Sequence, residues 1–278
     1  MTVKSFLRPL ISGIMLGLML TFPQQSAQAA LDALTAFARS VLPVLFPFTA
    51  CVLLFTAGRT LPLPALLLVS LLGGSPTGAR LFAECHLTPP LARRIARATG
   101  TMSPMFFLGT LSAWLQNARA ARLILICHLL SACVLALPLF RHKLCICLPA
   151  LPVPQALQQS AQAMLTVGAC ITLGAVGAQL FSCLLPHLPA LPLACLQSLA
   201  EVTLGCKSLI AARPPLLLPI LSACTAFSGL SILLQNAAFW GKKNIALADL
   251  ALFGIFRAGI SFLACFLILL CLPGGFAV

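Results

Sequence analysis

Apolar residues run along this chain in long blocks separated by short polar or proline-containing breaks. After a first block that ends at Phe22, blocks fall at about 35–57, 61–83, 98–116, 121–140, 157–185, 190–212, 216–240 and 247–272. Most approach the ~20 residues that a helix needs to cross a bilayer. The short alternating strands of an outer-membrane barrel are not present in the pattern. It therefore predicts an all-α polytopic membrane protein.

Two blocks do not read as simple crossings. The first arm of 61–83, Leu61 to Leu72, would reach only about 18 Å as a helix, against a hydrocarbon core of roughly 30 Å. It breaks at Gly73-Gly74-Ser75-Pro76 and resumes as a second short arm. The block 190–212 repeats this form around the polar stretch EVTLGCK, 201–207. Both read as re-entrant hairpins, and both are followed by a double proline, Pro89-Pro90 and Pro214-Pro215, 125 positions apart. Beyond each lies a crossing broken by small polar residues, ATGTMSPMFFLGT (98–110) and ACTAFSGLSILLQ (223–235), where Ser103 and Ser228 are again 125 apart. Gly78 with Gly205, and Arg80 with Lys207, match at 127. Four ordered matches in one context predict an internal duplication.

Each copy then contains a crossing, a re-entrant hairpin, a broken crossing and a crossing. Three crossings invert the second copy, the inverted-repeat plan of secondary transporters. The copies are expected at 31–143 and 155–272, after a signal-like or first transmembrane helix at 1–30. That segment carries Lys4 and Arg8, an apolar run, and a cleavage-like Ala27-x-Ala29. With a cytoplasmic amino terminus, eleven of the 17 basic residues fall inside: Lys4, Arg8, Arg59, Arg80, Arg93, Arg94, Arg97, Arg141, Lys143, Lys242 and Lys243. Five fall outside, Arg39, Arg119, Arg122, Lys207 and Arg213, and Arg257 lies within a helix. The bias has the sign that orients membrane proteins, and the carboxyl terminus is expected outside.

Composition agrees: 60% of residues are hydrophobic and 8% charged, against about 25% charged in soluble domains. The net charge of +13 is assigned to membrane orientation rather than nucleic acid, since no aromatic–basic interleaving accompanies it. The thirteen cysteines lie mostly singly in apolar runs and read as buried small hydrophobes. Cys145-Ile146-Cys147 has no second pair at zinc spacing. His86, His128, His142 and His187 are scattered, and no metal or cofactor is expected. GGSPTG lacks the GxSxG elbow and a placed histidine, so enzymatic chemistry is not expected.

Non-helical backbone at membrane depth is tolerated when it is buried in protein or lines a wet cavity. The tip and break residues are thus the candidate binding groups for a small polar solute. They are Ser75, Thr77, Gly78, Thr101, Ser103, Glu201, Thr203, Gly205, Thr225, Ser228, Gly229, Ser231 and Gln235. A charge at membrane depth is costly unless paired or functional. Glu201 is therefore expected to couple an ion or to pair with Arg257 or Lys207, and Arg80 joins this set. The tips at 73–78 and 201–207 are expected to meet near the midplane.

The stretches SVLPVLFPFTACVLL (40–54), GGSPTGARLFAE (73–84), EVTLGCKSL (201–209) and FSGLSILLQ (227–235) resemble bacterial sporulation integral membrane proteins with nucleoside recognition (Gate) domains. The family's tip pattern of Gly, small residue, Pro, any residue, Gly, Ala, Lys is matched by Gly74 to Ala79, with Arg80 in place of lysine. The following crossing, often rich in asparagine in that family, here has Thr99, Gly100 and Thr101. The resemblance implies a relationship to concentrative nucleoside transporters, a bacterial cell membrane location and a role in spore formation. Two functions compete: a permease for a small polar, nucleoside-like solute, and a non-transporting component that assembles with membrane partners or itself. A lipid-facing apolar groove and a closed, dry midplane would favour the second.

Overall fold

The computed structural model describes residues 3–140 and 144–272, with side chains from residue 9 onward. Arg141, His142 and Lys143 of the expectations above lie outside them. Proline starts many of the helices, because its missing N–H is no loss at the first positions and its fixed φ suits them. After α1 (Val3–Thr21), such starts open α2 (Pro23–Ala36), α3 (Leu42–Thr56), α4 (Leu63–Gly73), α6 (Pro89–Ala98) and α9 (Val153–Leu184). The others are α5 (Thr77–Ala83), α7 (Ser112–Leu115), α8 (Ala118–Phe140), α10 (Ala190–Ala200), α11 (Val202–Ala212), α12 (Leu217–Phe227), α13 (Gly229–Trp240) and α14 (Leu247–Cys271).

The chain is an all-α polytopic membrane protein. Among the described residues, five helical stretches are long and apolar enough to cross a bilayer: Pro23–Thr56, Ala118–Phe140, Val153–Leu184, Leu217–Lys243 and Leu247–Cys271. Their outward faces carry exposed Ile126, Leu137, Leu165, Ile255 and Leu270, as lipid contact requires. Pro23–Thr56 starts twelve residues before the expected block, so the boundary at 30/31 and Ala27-x-Ala29 fall inside α2. Its 34 residues span about 51 Å, well beyond the core thickness. The extra turns hold Gln24, Gln25, Gln28 and Asp32, and Gln28 Nε2 donates to Asp32 Oδ1 at 2.8 Å. Those polar residues hid the helix from a reading of apolar runs. A π-helical turn at Phe37–Val41 joins α2 to α3, just ahead of Pro43, which cannot supply a helical N–H.

The α2–α3 rod lies antiparallel along α9: Phe37 packs on Gly168, and Gly58 N–H bonds to Pro149 O. The buried face of α9 holds Met164, Val167, Val176 and Leu180, but most of it is small: Ala156, Ser160, Ala163, Gly168, Gly174, Ala175 and Ala178. Small residues at helical spacing let helix backbones approach closely where no hydrophobic effect drives association.

Two core clusters divide the molecule. One contains Leu63, Leu66, Phe82, Ile95, Leu139, Trp240 and Phe253; the other contains Phe107, Ile124, Val202, Leu209, Leu221 and Cys265. Helix α8 gives its end to the first (Ala136, Leu139) and its start to the second (Ile124, Cys127). Helix α14 does the reverse, with Leu250 and Phe253 in the first and Cys265 in the second. The two therefore run antiparallel through both. Among the described residues, α4 and α5 enter only the first cluster, and α10 and α11 only the second.

The first cluster closes one end of the molecule. There β1 (Thr60–Pro62) pairs antiparallel with β2 (Cys145–Cys147), Leu148 N–H bonds to Arg59 O, and Lys242 Nζ meets Glu84 Oε1 at 2.9 Å. Lys243 Nζ adds a bond to Cys85 O at 2.7 Å. Helix α6 was not expected as a helix, because Arg93, Arg94 and Arg97 interrupt its apolar pattern. Ala92, Ile95, Ala96 and Ala98 nonetheless form a buried face.

Each short hairpin closes a serine against a glycine. A Cβ on Gly78 would collide with Ser70 Oγ, and one on Gly205 would collide with Ser198 Cα. The first obstacle is the end of a side chain; the second is backbone. Gly205→Ala should lower the melting temperature of the detergent-purified protein by roughly 3–8 °C, an overpacking cost of about 1–3 kcal/mol. Gly78→Ala should be partly rescued by Ser70→Ala, while Gly109→Ala, with open space at its Cβ, should leave melting unchanged.

Candidate functional site at the helix breaks

The first hairpin turns at Gly74 (φ 65°) and Ser75-Pro76. The backbone freed there is satisfied by a neighbouring break: Ser75 N–H donates to Thr101 O at 2.7 Å, and Gly74 packs on Met102 and Ser103. Ser75 Oγ donates to Asn236 Oδ1 at 3.1 Å, and the Thr77 and Thr49 hydroxyls lie 3.1 Å apart. Ser75, Thr77 and Asn236 are all buried.

Between α6 and a π-helical turn at Phe106–Leu111, the chain unwinds through residues 99–103. Met102 N–H donates to His128 Nε2 at 3.2 Å. Because Nε2 accepts, the neutral ring carries its proton on Nδ1. Nδ1 is buried without a partner, and so is Thr101 Oγ1. Arg257, buried from α14, reaches the same stretch: Nη1 donates to Thr99 O at 3.0 Å and Arg97 O at 3.3 Å, and Nε donates to Ala226 O at 3.3 Å.

The second crossing breaks between α12 and α13, where Ser228 (φ 76°) and Gly229 (φ 70°) are both left-handed. The second hairpin turns at Glu201 alone. The expected tip 201–207 is thus corrected, since Val202 to Lys207 already belong to α11. Glu201 caps that helix: Oε2 accepts from Leu204 N–H at 2.7 Å and from the Thr203 hydroxyl. A carboxylate at a helix N-terminus is favoured by the unpaired amides and by the dipole.

The expected ion pair is not formed. Arg257 binds backbone carbonyls, Arg80 lies over the Phe239 ring at 5.5 Å, and exposed Lys207 lies over the Trp114 ring at 4.9 Å. Among the described residues the one ion pair within 4.0 Å is Lys242–Glu84, away from Glu201. Glu201 lies instead against Gly174 of α9, which also faces Ser231. Helix α13 thus links the two tips, with Ser231 beside the second and Asn236 bonded to the first. Five residues separate these, about 7.5 Å along the axis. Both tips line the same helix.

Comparison with protein-family models, with curated proteins and with solved structures found no match to this chain.

The expected site residues divide into two groups. Ser75, Thr77, Thr101, Glu201 and Ser231 gather at the tips and breaks, with Ser231 Oγ buried and unpartnered. Gly78, Gly205 and Gly229 act through close packing, Gly78 against the Ser70 side chain, Gly205 against the Ser198 backbone and Gly229 against Ser198 O. Thr225 and Ser228 turn back on their own helix: Thr225 Oγ1 donates to Leu221 O at 2.8 Å, and Ser228 Oγ donates to Thr225 O at 3.2 Å. Ser103 Oγ accepts from Met105 N–H at 3.3 Å, shaping the turn before the π-helical stretch. Thr203 serves Glu201, and Gln235 is buried while its neighbour Asn236 carries the contact to the tip.

Thr49, His128 and Asn236 were not picked out by the sequence. A lone histidine within LILICHLLSACVL was the available signal for His128. All thirteen cysteines are free thiols, but Cys51, Cys133, Cys145, Cys147 and Cys271 are exposed, which corrects the expectation of burial. A thiol that packs as a small hydrophobe is equally at home against lipid. Among the described residues no cluster of three or more His, Cys, Asp or Glu side chains could hold a metal ion.

Glu201→Ala should destabilise the protein by about 1–2 kcal/mol in a denaturant titration through loss of the cap. Glu201→Gln, which keeps a carbonyl acceptor, should cost less than half as much.

Proposed function

We propose that this chain is a permease for a small polar solute, built from two inverted repeats, the first running from the α2–α3 rod through α8 and the second from α9 through α14. The observation that carries this reading is the set of buried polar groups around the first break. Ser75 and Asn236 bond across it, and Thr101 Oγ1 and His128 Nδ1 have no partner in it. Buried polar groups left unpaired are costly, and a polar solute would pair them. The inverted plan is supported by the confinement of each hairpin to one core cluster. The matched serine–glycine closures and the antiparallel run of α8 and α14 support it as well. Discontinuous helices around a midplane site are how secondary transporters hold solutes. The resemblance to Gate-domain sporulation proteins makes nucleosides the first solutes to test and spore formation in a bacterial cell membrane the expected setting.

A second reading, a non-transporting membrane assembly component, is favoured by a groove of about 660 Å³ lined by Phe37, Leu42, Pro43, Phe46, Pro47, Ala161, Met164 and Leu165. The near-complete burial of the tip residues points the same way.

Purified protein in liposomes should exchange at least one member of a panel of nucleosides and other small polar solutes. Asn236→Ala should reduce that exchange roughly tenfold or more, since the site loses a bond it was built to make. No exchange of any member by folded protein would favour the assembly reading. Reporter fusions within 144–149 and after Lys243 should both read cytoplasmic, and a reporter outside at either would remove the inverted plan.

A further inference from the structure

The ends of α6 and α12 meet at Arg257. In each helix the last carbonyls have no intrahelical partner, and the aligned peptide dipoles leave about half a negative charge there. Arg257 Nη1 takes Arg97 O and Thr99 O from the end of α6, and Nε takes Ala226 O from the end of α12. No carboxylate lies within 4.0 Å of it among the described residues. Two half-charges facing one guanidinium come to about neutrality, which accounts for a cation tolerated at this depth without an acidic partner. Transporters with discontinuous helices place a coupling cation at such half-helix C-terminal ends. The positive end of α11 is filled in turn by Glu201, through Leu204 N–H and the Thr203 hydroxyl. That helix start would otherwise suit an anionic group of a solute.

We propose that Arg257 is a covalently tethered resident cation standing where a coupling cation would bind, and that the permease moves an uncharged polar solute with no coupling ion. The proposal rests on the permease reading for its solute, but not for its cation. The unpartnered groups at the first break, Thr101 Oγ1 and His128 Nδ1, carry no formal charge, and neither does Ser231 Oγ beside the second tip; the buried guanidinium of Arg80, whose Nε also lacks a partner, lies over the Phe239 ring of the first core cluster.

Thermal melting of the full chain in detergent tests the cation. Exchange of choline chloride for sodium chloride at equal ionic strength should leave the wild-type melt unchanged. Arg257→Ala and Arg257→Met should each melt roughly 5–10 °C lower, the effect of losing charge-assisted bonds in a protein of this size. Low-millimolar guanidinium or sodium should recover much of that shift for Arg257→Ala, and choline should not. If Arg257→Ala folds only when purified with guanidinium, the conclusion is the same. Arg257→Lys should fall between wild type and Arg257→Met. A methionine variant as stable as wild type overturns the proposal, and so does a lysine variant as damaged as the methionine one. In liposomes, solute entry should be indifferent to imposed sodium and proton gradients. Entry that requires either gradient overturns the proposal and leaves the permease reading standing. Absence of all entry overturns the permease reading, while the melting experiment still decides the resident cation.

Discussion

A backbone that leaves helical geometry inside a bilayer must have its freed N–H and C=O groups paired within the protein, because lipid offers none. Among the described residues, the buried backbone leaves helical geometry at the two hairpin turns, at residues 99–103 and at Ser228-Gly229, and the architecture follows from how those places are paired. Ser75 N–H at the first tip goes to Thr101 O at the first break, and Met102 N–H goes to His128 Nε2. Arg257 gathers carbonyls from the ends of α6 and α12. Glu201 takes the start of α11. The breaks pair with one another and with a few polar side chains from α8, α13 and α14, so they must lie together. The small residues that line α9 let the surrounding helices close on them.

The two core clusters are joined by two helices and divided between the two hairpins. Helices α8 and α14 cross both core clusters and share them, whereas each hairpin is anchored in one cluster only. Both hairpins pack against α13: Ser75 bonds to Asn236, Glu201 lies near Ser231, and Gly229 closes on Ser198 O and Val202.

Charge placement differs from soluble proteins for the same reason. Glu201 and Arg257 are not paired with each other, since each is already met by helix ends of opposite sign, and buried Arg80 lies over the Phe239 ring. The ion pair that is found, Lys242–Glu84, lies among exposed side chains at the end of the molecule. For Glu201 and Arg257, peptide dipoles stand in place of counter-ions.

Apolar block lengths and the Gly-Ser-Pro break were local properties, so the sequence alone determined the helical membrane class, most crossings and the two short hairpins. Local patterning failed where a helix is amphipathic or emerges from the bilayer. Arg93, Arg94 and Arg97 concealed α6, and Gln24, Gln25 and Gln28 concealed the start of α2. Which polar residues meet was not a local property. Glu201 and Arg257 read as natural partners by charge, yet only the folded chain brings Leu204 N–H to the one and the ends of α6 and α12 to the other. Asn236 and His128, given no role among their apolar neighbours, gained their roles from the tip and break folded against them. Periodicity records what each segment must hide from water or show to lipid, while the pairing of freed backbone groups depends on which breaks come together in space.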